Sequence, residues 1–362
     1  MPSQILHALF GEDFLAALDR NFGCCPIEEA CRSIFALGCQ GPDIFYHSQM
    51  TRPVGLEYGT LLHRRGYGTF TAALFDLALG EGALKADYAA YAWGFATHAV
   101  LDRACHPYIV CRTARPDKGG GEGKLHAFFE RILDALMLEA LRGKPVASWD
   151  QDSLARICGD PPQGLKELLA EALRRAFPER AGGDAQLLRR MDSAFRDCAF
   201  FYRHTCPAKT SFLAPRLAPA EQEAFQRRMA EELPLAYLHP EALPGGIDYL
   251  NLKHRTWHYP LEEGGPDTRS FPDIYAQGLE AALEILGPLA AELLETGSLP
   301  GSEEIARRVG DNGLSIQDRN GKPATASRSE PLPLEQVLEQ QRQARLGVKR
   351  PSWKGRPRLM GD

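Results

Sequence analysis

The strongest constraint on this chain is the stretch Thr97–Tyr108, THAVLDRACHPY, in which His98, Asp102 and His106 recur every four residues. Apolar residues fill the intervening positions except Arg103, and the mixture predicts a helix. Side chains at i, i+4 and i+8 leave one helical face. An imidazole, a carboxylate and a second imidazole therefore point the same way. Zinc takes nitrogen and oxygen ligands of this kind, and helical i, i+4 spacing presents them. The competing reading is a buried polar stripe closed by hydrogen bonds.

A second pair follows at once. His126 and Glu130, in LHAFFER, again stand at i and i+4 on a predicted helix. Upstream, His63 lies late in the predicted helix YGTLLHRRG, Asp43 follows Gly41-Pro42 in a predicted turn, and His7 lies near the start of the sequence. His7, Asp43, His63, His98, Asp102, His106, His126 and Glu130 thus make eight ligand-type residues within the first 130 positions. Five of the ten histidines belong to the set.

The order His, GPDIF, His, H-x3-D-x3-H-P-Y, H-x3-E resembles the zinc-dependent phospholipase C family, which is related in fold to the single-strand-specific zinc nucleases. The resemblance covers about residues 1–140 and continues loosely through NLKHRTWHYP and SFPDIYAQGLEAA. It implies an all-α, multi-helix domain holding two to three Zn2+ ions. One ion falls to Asp43, His63, His98 and Asp102, and a second to His106, His126 and Glu130. A third falls to His7 and Asp102, with Asp102 bridging. Secreted members complete the third site with a mature N-terminal tryptophan, whereas this sequence has no tryptophan before Trp93. The resemblance further implies a phosphoric-ester hydrolase with a phospholipid substrate and transient contact with a membrane surface. Asp43, beside the first ion, is the candidate general base. A nuclease-like phosphodiesterase on single-stranded nucleic acid or nucleotides is the alternative enzyme, and a metal-stabilised binding protein the non-catalytic alternative.

Bulk properties narrow the field. At 362 residues the chain can bury a sizeable core. A net charge of −5 argues against a nucleic-acid binder held by a basic surface, without excluding a local phosphate site. Nine cysteines, an odd number without zinc-finger spacing, read as reduced thiols; Cys105, beside His106, reads as core. The first residues lack the charged, apolar and small-residue segments of a secretory signal, so a cytoplasmic location is expected. No stretch approaches the roughly 20 apolar residues that span a bilayer.

Helical periodicity runs through most of the sequence, with helices expected at 10–22, 26–38, 55–66, 69–80, 85–112, 123–142, 151–158, 162–176, 184–203, 218–232 and 270–295. Pro107, inside the fifth of these, predicts a kink just after His106. Phe45, Tyr46 and Met50 are either core or an apolar wall beside Asp43. The loop RPDKGGGEGK at 115–124 lacks P-loop spacing and reads as a lid or surface loop. Residues 239–269 read as a long loop packed across the bundle, with His254 and His258 structural rather than ligating. The domain is expected to end at 297. Residues 298–362 are then a low-complexity tail, disordered over 299–333, with a short helix at 334–346 and a basic end that could touch anionic lipid or nucleic acid.

Overall fold

A computed structural model describes residues 4–23, 25–80, 86–116, 122–207, 235–240 and 242–345. Among the described residues there are fourteen α-helices and one two-stranded sheet, so the architecture is all-α. The helices are α1 (Gln4–Phe22), α2 (Arg32–Gly38), α3 (Asp43–Tyr46), α4 (Leu56–Arg64), α5 (Tyr67–Leu79), α6 (Ala86–Thr113) and α7 (Glu122–Arg142). There follow α8 (Asp152–Gly159), α9 (Leu165–Ala176), α10 (Pro178–Ala181), α11 (Leu187–Thr205), α12 (Phe271–Thr296), α13 (Ser302–Val309) and α14 (Leu334–Arg345).

Helix α6 is the axis of the fold. It runs for 28 residues, continues through Pro107, and is buried on nearly every side, as a helix apolar all round must be. α1, α2, α5, α7 and α12 pack around it. Its crossing with α2 depends on glycines: a Cβ on Gly38 would lie 2.3 Å from the Tyr91 carbonyl oxygen, and one on Gly94 would lie 2.2 Å from that of Phe35. The two backbones therefore touch where no side chain fits. The chain leaves α2 directly into the GPD turn, which brings Asp43 against the middle of α6.

Helix α12 starts at a capping box. The Ser270 hydroxyl accepts from the Asp273 N–H, and the Asp273 carboxylate accepts from the Ser270 N–H. Between α11 and α12, the loop expected across the bundle is present. Tyr108 donates from its hydroxyl to the Tyr249 carbonyl at 2.9 Å, and its ring meets Trp257 edge-on at 5.3 Å. This loop contains the antiparallel pair Trp257–His258 and Pro266–Asp267.

Three expectations are corrected. Asp43 opens the one-turn helix α3 instead of sitting at a loop tip, and it is buried. The helix expected at 26–38 is broken, with a 3₁₀ turn at Glu29–Cys31 ahead of α2. The segment 299–333 is ordered, so the packed body does not end at 297. Its Gly, Pro and Ser content keeps α13 short but leaves single anchors, Ile305, Val309, Leu314 and Ile316, all buried. Composition reports the absence of long regular elements, and isolated buried side chains can still pack. The expected helix at 218–232, residues 117–121 of the glycine-rich loop and the basic end from 346 lie outside the described residues.

Candidate metal centre

All eight ligand-type residues converge on the middle of α6. That helix contributes His98, Asp102 and His106 from one face; α1 brings His7, α3 Asp43, α4 His63, and α7 both His126 and Glu130. Three groups form, each with its ligand atoms within 4.8 Å of one another: His7, His98 and Asp102; Asp43, His63 and His98; and His106, His126 and Glu130. The first two share His98. Asp102 spans them, with Oδ1 3.2 Å from His7 Nε2 and Oδ2 3.2 Å from His98 Nε2 and 3.9 Å from His63 Nε2. Asp43 divides its oxygens, Oδ1 lying 3.0 Å from His63 Nε2 and Oδ2 3.8 Å from His98 Nε2. In the third group Glu130 Oε1 lies 3.1 Å from His126 Nε2 and 3.8 Å from His106 Nε2.

The carboxylate-to-imidazole separations, 3.0–3.9 Å, fit ligation. Ligand atoms about 2.1 Å from one zinc ion lie no more than about 4.2 Å apart. The imidazoles are also turned the right way. His63 Nδ1 faces the Gly59 carbonyl at 2.7 Å, His98 Nδ1 that of Cys39 at 3.0 Å, and His106 Nδ1 that of Leu314 at 2.8 Å. A carbonyl oxygen only accepts, so each Nδ1 carries the proton and each Nε2 keeps its lone pair for the centre. Buried polar atoms without a hydrogen-bond partner gather at the same place: His98 Nε2, Asp102 Oδ2 and Glu130 Oε2. Unsatisfied buried polar atoms are costly, and cations held in the ligand groups would satisfy them.

The turn before Asp43 is shaped by His98. Gly41 has φ +55°, and a Cβ there would stand 2.4 Å from His98 Cγ. The His98 ring also stacks on His7, centroids 4.0 Å apart. His7 is itself held from α7: Asp134, fully buried, accepts from the Leu6 N–H at 2.8 Å and fixes the first turn of α1.

Electrostatics favour a bound cation. Burial alone would raise the Asp43 carboxyl, but His98 and His63 outweigh it and hold it below the usual range. Burial is likewise outweighed at Asp102, where His106, His98 and His7 hold the carboxyl well below its usual value. Burial pushes His106 down, toward the neutral form that ligates. At His7 burial opposes protonation, yet the Asp102 carboxylate wins and raises it.

The side chains of His98 and Asp43 are 0% and 2% exposed, whereas those of His63 and His126 are each 14% exposed. The centre therefore reaches solvent along the His63–His126 edge. Tyr46 is there, its ring 4.6 Å from that of His63. Phe45 is fully buried core, and Met50 is tied through its N–H to Asp197 at 2.7 Å. Cys105 is buried. His254 and His258 belong to none of the three groups; His258 Nδ1 instead lies 2.8 Å from Glu330 Oε1. Sequence patterning missed the carbonyls of Gly59, Cys39 and Leu314, since a backbone acceptor leaves no residue signal. Asp134 had a faint one, standing four residues after Glu130 on the same helix.

No family model, curated protein or solved structure matches this chain. Among the described residues, no helix is long and apolar enough to cross a membrane. What stands on the geometry is a set of buried His, Asp and Glu groups that can hold metal ions, compatible with a metal-dependent hydrolase.

Proposed function

We propose that the protein is a zinc-dependent hydrolase of phosphoric esters, of the phospholipase C type that the sequence resembles. One observation carries the reading: three ligand groups gather on one face of α6, two of them sharing His98 with Asp102 spanning both, and with the imidazole tautomers of His63, His98 and His106 fixed so that Nε2 faces inward. Nitrogen and carboxylate donors at these spacings suit zinc. Zinc held there would supply Lewis-acid polarisation of a phosphoryl oxygen and an activated water.

The residues divide the remaining work. His7, His98 and Asp102 form the closed floor and His106, His126 and Glu130 the second wall, so a phosphodiester enters along the more exposed His63–His126 edge. Asp43 stays ionised beside His63 and His98, and its Oδ2, with the longer separation from its neighbour, is assigned to accept a proton from the attacking water. Tyr46 offers an aromatic face at the same edge. The resemblance puts a phospholipid first among substrates, reached by transient contact with a membrane surface.

The test combines elemental analysis of protein purified without chelators with assays on phosphatidylcholine, a bis-aryl phosphate and single-stranded DNA. At least two zinc ions per chain and hydrolysis of the lipid are expected. Cleavage of DNA alone would transfer the assignment to a nuclease, zinc without any hydrolysis would leave a metal-stabilised binding protein, and less than one ion per chain would end the metal reading.

A further inference from the structure

The segment that follows α13 lies against the metal centre although no ligand comes from it. Leu314 is its point of contact, and its backbone N–H and carbonyl bond to different helices. Its N–H donates to the His63 carbonyl at 2.9 Å, and its own carbonyl accepts from His106 Nδ1–H at 2.8 Å. His63 belongs to one ligand group and His106 to another. The backbone of a single residue thus ties the last turn of α4 to α6.

Two anchors hold that peptide in place. Arg103, the residue after Asp102, spends its guanidinium on four backbone carbonyls of the segment: Val309 at 2.5 Å, Gly310 at 2.8 Å, Asn312 at 2.9 Å and Gly313 at 3.3 Å. Those acceptors leave it pointed at backbone alone. Asp311 is the second anchor. Its carboxylate accepts from the Thr69 N–H and hydroxyl, each at 2.7 Å, while the Gly310 carbonyl accepts from the Gly68 N–H at 3.0 Å. The first turn of α5, which begins after a glycine with no side chain to cap it, is therefore capped from the far end of the sequence.

We propose that residues 309–314 are a positioning arm of the metal centre, fixing the tautomer and ring angle of His106 through the Leu314 carbonyl, with Arg103 and Asp311 as its anchors. This rests on the metal-centre reading above. Outer partners that orient a ligating imidazole are worth about 10–100-fold in metal affinity when lost. Arg103 and Asp311 touch no ligand ring; the Arg103 charge also acts on Asp102, so the loss that both variants share is the one that travels through the arm.

The experiment uses the full chain, stripped of metal and titrated with zinc against a chromophoric chelator. Arg103→Ala and Asp311→Ala are compared with wild type and with His126→Ala, which removes a ligand of the second group. Both arm variants should weaken the same zinc equivalent that His126→Ala abolishes, by about 10–100-fold. In the metal-free state, proton NMR should show a slowly exchanging ring N–H in wild type, assigned by its loss in His106→Gln. That signal should disappear in both arm variants. Asp311 is solvent-exposed, so Asp311→Ala keeps the test open if Arg103→Ala does not fold. Wild-type zinc affinity in a folded arm variant, or a ring N–H signal that survives in it, would overturn the proposal while leaving the metal centre intact. Absence of zinc binding in wild type would instead overturn the metal-centre reading and the arm's role with it.

Discussion

Gly41→Ala tests whether the turn before Asp43 is built around His98. The new side chain meets two separate penalties. At φ +55° an L-residue sits in the left-handed region, which costs about 1–2 kcal/mol. Its Cβ would also stand 2.4, 2.6 and 2.7 Å from His98 Cγ, Cδ2 and Nδ1, about 1 Å inside ordinary contact. The ring cannot retreat freely, because His7 stacks on it at 4.0 Å and its Nδ1 is tied to the Cys39 carbonyl at 3.0 Å. Overpacking of that kind costs about 1–3 kcal/mol, for a total of about 2–5 kcal/mol. Gly143→Ala supplies the control. Its φ is +64° but nothing lies within 4 Å of the new Cβ, so only the backbone penalty of about 1–2 kcal/mol applies. Urea denaturation of the metal-free proteins measures both losses, and zinc titration measures whether His98 has moved. Equal stability loss in the two variants, with unchanged zinc affinity in Gly41→Ala, would refute the reasoning.

Asp102→Asn should weaken two zinc equivalents and His126→Ala only one, since Asp102 spans the His7 and His63 sides of the centre whereas His126 belongs to the third group alone; indistinguishable metal counts would remove the bridging role of Asp102. Asp43→Asn, at a buried ligand position, should both lower zinc affinity and reduce hydrolysis by about 10²–10⁴-fold; retained zinc with lost activity would make it purely a base, and full activity would remove it from the mechanism. Burial pushes the His47 imidazole down from 6.5 to about 3. The unfolded chain thus takes up a proton that the folded chain refuses, and stability present above pH 6.5 is lost as pH falls toward 3, by at most about 5 kcal/mol. His47→Leu should flatten that slope in pH-dependent thermal melts of the metal-free protein, and an unchanged slope would place the titrating group elsewhere.

The ligands were legible because helical geometry writes itself into spacing. His98, Asp102 and His106 share a face at any position of a helix, and His126 with Glu130 follows the same rule. The all-α architecture was legible for a related reason, the persistence of apolar periodicity. Asp43 was placed in a turn because Gly41-Pro42 breaks a helix, but a four-residue helix restarts immediately after Pro42, which local patterning is too coarse to register. The ordered segment beyond 297 was missed for a different reason. Its stability comes from scattered anchors such as Ile305 and Leu314 and from carbonyls gripped by Arg103, and neither has a period. The Leu314 carbonyl on His106 is invisible in principle, since any residue with a backbone could supply it.

Ligation and folding are linked in this arrangement, and the linkage ranks the variants. His98 Nε2 and Asp102 Oδ2 are buried without hydrogen-bond partners, so the metal-free fold bears their desolvation. A cation that binds only the folded chain returns stability as RT ln(1 + [L]/Kd), about 2.7 kcal/mol at one hundred times Kd. A variant whose Kd rises 10–100-fold loses about 1.3–2.3 kcal/mol of that gain at the same free zinc, however stable it is without metal. The zinc-induced rise in stability is therefore the informative quantity. It should be largest in wild type and in Gly143→Ala, smaller in Gly41→Ala and Asp43→Asn, and smallest in Asp102→Asn. A uniform rise across all five would mean that zinc binds somewhere other than the face of α6.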